Sequence, residues 1–168
     1  MTDVYQKRYL EHQKRKKEVL AQITKERHSN RVFSGTPVDD KAIKELMGST
    51  FNCPSSCARK GILLDVISER DKKDLLSGLL VGGVGWMHRA SHVLLLFGDP
   101  LAYKVTEEVS YMPYLDAGFV AHQLYLAATV LELKCCFVSP KIRDMNKEYF
   151  QKVFGDKIFC GAFVVGRG

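Results

Sequence analysis

Residues 116–131, DAGFVAHQLYLAATVL, carry one formal charge, Asp116, at their very start. The rest of the segment is apolar on most sides at helical spacing. Ala117, Gly118, Ala121, Ala127 and Ala128 are small enough to let another backbone come close. A helix with this pattern cannot stand in water; it belongs at the centre of a fold or in a subunit interface. The remainder of the chain must supply apolar surface on more than one side of it.

Other segments can do so. Ile62–Ile67 and Ser91–Phe97 read as strands, the second a continuous apolar run closed by Gly98-Asp99-Pro100. Cys135–Val138 and Phe159–Val165 read as two more. Helical spacing appears at 3–26, where the apolar side is thin, and at 71–80 and 144–153. A further helix starts at TPVDD, 36–40, with proline and acids in its first turn, and ends at Gly48. Residues 51–61 are a loop with a short helix from Pro54, and VGGVG, 81–85, is a glycine loop. Helices and strands in mixed order give an α+β fold: a central mixed, mainly antiparallel sheet flanked by helices, with the long helix buried within. Two parts are expected, a basic N-terminal helix at 1–26 and a single domain at 27–168.

Charge is unevenly spread. Residues 1–31 hold nine Lys/Arg against four Asp/Glu, so this segment supplies most of the net +6. Beyond Tyr5 and Tyr9, which flank Lys7 and Arg8, no aromatic interleaving along this segment suggests base stacking, which argues against nucleic acid as the partner. No apolar run reaches the roughly 18 residues of a membrane span. The N-terminus is too charged for a signal peptide, and the expectation is a cytoplasmic protein. The cysteine count is odd, five at irregular spacing, which fits reduced thiols better than a disulfide framework.

Several clusters can carry chemistry. In RHSNR, 27–31, alternate residues of an extended chain point the same way, so Arg27, Ser29 and Arg31 can meet one anion; the alternative is a charged surface cap. In CPSSC, 53–57, the spacing differs from zinc and thioredoxin motifs, and Pro54-Ser55-Ser56 reads as a turn offering amides and hydroxyls. The glycine loop lacks the GK[ST] of a phosphate loop, and Trp86 beside it either stacks on a ring or fills the core. His12, His28, His88, His92 and His122 form no metal spacing, and no GxSxG elbow supports a serine hydrolase.

Taken in order, these segments resemble the nitroreductase family of FMN-dependent α+β oxidoreductases. ERHSNRVF, 26–33, is similar to its R-[RH]-S-x-[RK]-x-F phosphate-binding segment. CPSSCARKG, 53–61, resembles [AC]-P-S-S-x-N-x-Q-P, with Ala58 and Lys60 at the Asn and Gln positions. GWMHRASHVLLLF, 85–97, is similar to W-x3-A-P-x-[VI]-[VIL], and DAGFVAHQLYLAA, 116–128, to D-x-G-x-x-x-Q-N-L-x-L-A-A. The resemblance covers about residues 24–166.

The resemblance implies a homodimer with one FMN per active site and the long helix in the dimer interface. Arg27, Ser29 and Arg31 would hold the FMN phosphate, with His28 beside them. Pro54, Ser55 and Ser56 would line the isoalloxazine ring of the partner's site. Gly83, Gly85 and Trp86 would approach the pyrimidine edge, and Val138, Ser139 and Pro140 the N5 side. Lys60 or Arg89 would supply a cation near the ring, and Arg167 would stand in for a further phosphate-binding base. NAD(P)H would deliver hydride to the flavin and a nitroaromatic, quinone or similar acceptor would remove it, with no dedicated catalytic acid or base and no metal. The alternatives are a flavin-degrading relative, a non-enzymatic module that uses its basic N-terminal helix to bind a partner, and a redox or metal protein acting through Cys53 and Cys57.

Overall fold

The computed structural model describes residues 3–104, 109–155 and 157–168. Its regular elements are α1 (Asp3–Glu26), α2 (Asp40–Gly48), β1 (Ile62–Ile67), α3 (Arg70–Leu79), β2 (His92–Gly98), α4 (Met112–Val130), β3 (Lys134–Val138), α5 (Lys147–Phe154) and β4 (Ile158–Gly166). The strands form one sheet in the order β1-β2-β4-β3, and all three pairings are antiparallel.

β2 and β4 occupy the middle of this sheet, which explains why β2 is apolar throughout rather than alternating: both of its faces are covered. Leu94 and Leu96 point to one side, where they pack with α2 and α4 residues Ile43, Leu46, Val120 and Leu124. Val93, Leu95 and Phe97 point to the other, packing with Leu76, Leu79 and Phe150 of α3 and α5. The register shifts between Leu96 and Phe97, opposite Gly161. There a positive φ of 132° and the Phe137 ring directly over the α-carbon leave no room for a side chain.

α4 begins at Met112, four residues before the expected start, because Pro113 in its first turn needs no backbone donor. Its buried face is Pro113, Asp116, Ala117, Val120, Ala121, Leu124 and Ala128, at helical spacing. The expectation of a helix buried within is met on that face only: Tyr114, Leu115, Phe119 and Val130 are exposed on the opposite side. α1, about 36 Å long at 1.5 Å per residue, is exposed along its length except at the half-buried Gln13 and Ile23, as its thin apolar side predicts. No described helix is long and apolar enough to cross a membrane.

Candidate functional site

The chain leaves α1 at Arg27 and runs extended along the outer edge of β3. The Asn30 amide donates to the Cys135 carbonyl at 2.7 Å. Further on, the Ser34 amide donates to the Arg167 carbonyl beyond β4. Arg27 and Ser29 meet one aromatic side chain and Arg31 another. The Arg27 guanidinium lies 5.3 Å from the Tyr125 ring centre, the Ser29 hydroxyl is 2.9 Å from the Tyr125 hydroxyl, and the Arg31 guanidinium lies 5.9 Å from the Trp86 ring centre. Among the described residues no carboxylate forms an ion pair with Arg27 or Arg31. Two guanidiniums and a hydroxyl are thus held by aromatic rings, with their charge uncompensated.

The His28 ring turns back to the chain, where Nδ1 sits 2.7 Å from the Glu26 carbonyl. With Asn30, Glu132 and Lys134 it lines a separate polar groove. The Arg167 carbonyl accepts from the Ser34 amide, and its guanidinium faces Asp39, the cap of α2, at 3.9 Å. The Asp39 carboxyl is held below its ordinary range chiefly by the Ala42 amide, then by its own backbone amide, with Arg167 adding less.

The glycine loop joins this region. Val81 donates its amide to the Lys141 carbonyl at 3.0 Å, and Leu80 bridges to Ile142, so the loop is tied to the segment following β3. Gly82 packs on Val138, where an added β-carbon would sit 3.1 Å from a Val138 methyl. Trp86 donates its indole N–H to the Gly82 carbonyl at 3.0 Å and stacks on the buried Phe33 at 6.2 Å between ring centres. It is therefore half-buried, a shelf between Phe33 and Arg31 rather than a core residue. Gly83 is buried, with its carbonyl bonded to Ser77. Gly85 has φ 81° and open space where a side chain would be. Arg27 and Ser29 thus meet Tyr125, which packs in the core on the α4 side of the sheet, whereas Trp86, Val138 and the Met87 against Gly83 pack on the α3 side, with Arg31 over Trp86 and the exposed Ser139 following β3.

Pro54, Ser55, Ser56 and Lys60 lie elsewhere, at the N-terminal half of α4. The organising group is Asp116, 1% exposed. One of its carboxylate oxygens accepts both the amide (2.9 Å) and the hydroxyl (2.8 Å) of Ser56, and the other accepts the Tyr103 hydroxyl at 3.2 Å. Burial first, and the Asp116 charge second, hold the Tyr103 phenol well above its usual range. The Lys60 amide donates to the Ser55 hydroxyl, and its ammonium turns back onto the Phe51 and Cys53 carbonyls. Cys57, Ala58 and Lys60 all adopt left-handed φ (49°, 56° and 53°), a run of strain that this hydrogen bonding holds in place. Beside the turn, Met47, Phe51, Ile62, Leu64 and Val120 line a mostly apolar cavity of about 470 Å³. Asp116 and Tyr125 are nine residues apart on α4, about 14 Å along its axis. Within one chain, then, the turn and the basic segment do not meet. Arg89 is exposed in a short 3₁₀ turn after Trp86.

Asp116 and Tyr125 hold the two regions, and neither stood among the expected site residues. Each had a signal: one acid, and one phenol, within the predicted mostly apolar segment 116–131. The cysteines are free thiols. Burial pushes Cys53 up, Cys160 up to about 11 and Cys135 up to about 12, so these three stay protonated near neutral pH. Among the described residues no cluster of three or more His, Cys, Asp or Glu could hold a metal.

No protein-family model and no curated protein matches the chain. Solved structures do match. An FMN-dependent nitroreductase from Clostridium difficile superposes with a TM-score of 0.72 at 19% identity, covering 87% of this chain and 86% of that one. A nitroreductase family protein from Streptococcus pneumoniae gives 0.73 at 16% identity, covering 88% and 90%. A protein assigned as a nitroreductase from Desulfovibrio desulfuricans, solved in complex with FMN, gives 0.71 at 22% identity, covering 89% and 85%. Agreement over this much of both chains, at such low identity, establishes the fold.

Proposed function

We propose that this nitroreductase-fold chain is an FMN-dependent oxidoreductase, working as a homodimer, that carries hydride from NAD(P)H to a nitroaromatic, quinone or similar conjugated acceptor. The observation that carries the proposal is the donor set at 27–31: two guanidiniums without carboxylate partners and a serine hydroxyl, at alternate positions of an extended segment that runs from Tyr125 to the Trp86 end of the glycine loop. Such a set suits a phosphate, because planar guanidinium forks and a hydroxyl match its oxygens. When bound, FMN would supply the redox chemistry, taking hydride from the nicotinamide and passing it to the acceptor.

The protein's own part is to bind and orient. Arg27, Ser29 and Arg31 would hold the phosphate end. Gly83, Gly85 and Trp86 would take the pyrimidine edge, with Val138 and Ser139 lining the opposite edge. Open space at Gly85 supports this, since a ligand can approach that backbone closely. Pro54, Ser55 and Ser56 would complete the site of the partner subunit, a role favoured by their separation from Arg27 along α4. The exposed Tyr114, Leu115 and Phe119 on α4 give the homodimer an apolar surface to bury. On this reading residues 27–168 form the flavin-binding body and α1 lies outside it.

The test is a visible spectrum of the purified protein before and after adding FMN. Flavin bands that bleach with NAD(P)H under nitrogen, and return with a quinone or nitroaromatic, are expected. A protein that stays colourless and retains no added FMN overturns the proposal.

A further inference from the structure

Tyr125 makes every contact a linchpin of the basic segment would need. Its hydroxyl accepts the Phe137 amide at 2.7 Å, capping an otherwise unpaired N–H on the outer edge of β3. The same oxygen is 2.9 Å from the Ser29 hydroxyl. Its ring stacks edge-on against the buried Phe163 at 5.1 Å and carries the Arg27 guanidinium at 5.3 Å. Either hydroxyl can donate in the Ser29–Tyr125 bond, and one of the two arrangements gives the phenol's own proton an acceptor. An amide can only donate, so Phe137 occupies a lone pair of the phenol oxygen. Ser29 is then the acceptor within reach of the phenol's own proton. Burial pushes the phenol above its ordinary range, so that proton stays in place at neutral pH. With its oxygen accepting from Tyr125, Ser29 keeps its hydroxyl proton for a further partner.

We infer that Tyr125 is the positioning residue of the anion clamp: it turns the Ser29 hydroxyl into an outward donor and holds the Arg27 guanidinium over its ring beside it. The inference rests on the FMN reading above and adds a residue that touches no part of the ligand. It is specific to the phosphate. Riboflavin, which has the same ring system without the phosphate, serves as the control.

The experiment measures dissociation constants of FMN and riboflavin, by quenching of flavin fluorescence, for the wild-type protein, Y125F and Y125L. Y125F keeps the ring under Arg27 and deletes the proton given to Ser29, so FMN binding weakens about five-fold with riboflavin unchanged. Y125L removes the ring as well, and FMN weakens by a further factor of about three, again without riboflavin. Adding S29A to Y125F costs little more than Y125F alone, because the two changes remove the same donor. If both variants weaken FMN and riboflavin in equal proportion, Tyr125 only supports the core and the inference fails. It fails too if the FMN-to-riboflavin ratio stays at the wild-type value. A wild-type protein that binds FMN no better than riboflavin overturns the phosphate clamp itself, and the inference with it. That outcome is read on the wild type alone, so the two failures are distinguishable.

Discussion

The two ends of α4 solve opposite problems with similar parts. At Asp116 a buried carboxylate is surrounded by donors, and the polar side chains Ser55, Ser56 and Lys60 of the 53–60 turn are satisfied within the chain: Ser56 by Asp116, Ser55 by the Lys60 amide, the Lys60 ammonium by two carbonyls. At Tyr125 the arrangement is reversed. Two guanidiniums rest on aromatic rings, which orient a cation without neutralising it. The first region is closed and rigid; the second is organised but electrostatically open. This contrast says where an anion would bind, and it explains why a run of left-handed residues is tolerated at one end only.

The most disruptive way to break the contrast is Asp116→Ala. It leaves the Ser56 amide, the Ser56 hydroxyl and the Tyr103 hydroxyl without their acceptor in a buried site. The expected loss is about 3 kcal/mol, since hydrogen bonds to a charged group are the strong ones. For a chain of this size that corresponds to a fall in melting temperature of about 10 °C. Asp116→Asn retains one acceptor oxygen and loses roughly half as much. Thermal melts of both variants check this; a wild-type melting temperature for D116A would mean that the turn holds itself.

At the open end the expected pattern is the converse, a change in binding with little change in stability. Arg27→Ala combined with Arg31→Ala removes the uncompensated charges. FMN affinity should fall about 10- to 100-fold while riboflavin affinity and melting temperature stay nearly constant. Equal loss of both flavins would place the phosphate elsewhere.

Each end also buries a thiol: Cys135, whose carbonyl accepts from Asn30, and Cys160, which feels the Asp116 charge. Burial raises them to about 12 and about 11, against 9.0 for an ordinary thiol. The native state therefore keeps both protons where the unfolded chain sheds them. Between pH 9 and pH 11 the unfolded state binds fewer protons, so stability falls as pH rises, and this contribution is intact below pH 9. Each thiol costs about 1 kcal/mol by pH 10. Cys160→Ala and Cys135→Ala should each flatten the alkaline limb of a urea-denaturation series, and an unchanged slope would refute the assignment.

Much of this molecule is legible in its sequence, and the limits of that reading are physical. Strand positions emerge to within a residue because apolar runs bounded by turn residues report burial directly. The two-residue period of extended chain groups Arg27, Ser29 and Arg31, but that Arg27 and Ser29 rest on Tyr125 while Arg31 rests on Trp86 depends on distant partners that the period does not report. The start of α4 escapes because a proline in a helix's first turn looks, in sequence, much like a proline that ends one. Asp116 and Tyr125 escape because their partners, Ser56, Ser29 and Phe137, are 60, 96 and 12 residues away. The left-handed Cys57, Ala58 and Lys60 have no sequence signature at all, since only the closed network around them makes those angles tolerable.

Arg167 supplies the smallest effect and the finest test of the contrast. By position in sequence it is a candidate for the phosphate; by position in space it faces Asp39 at 3.9 Å, with both side chains well exposed. An ion pair so long and so solvated contributes little. Its charge is also compensated, unlike those of Arg27 and Arg31. Arg167→Ala should therefore leave the FMN-to-riboflavin ratio within about two-fold of wild type. The melting temperature should move by less than about 2 °C. If the ratio instead falls as far as it does for Arg27→Ala combined with Arg31→Ala, Arg167 abandons Asp39 when the ligand binds. The boundary between compensated and uncompensated charge would then depend on the ligand rather than on the fold.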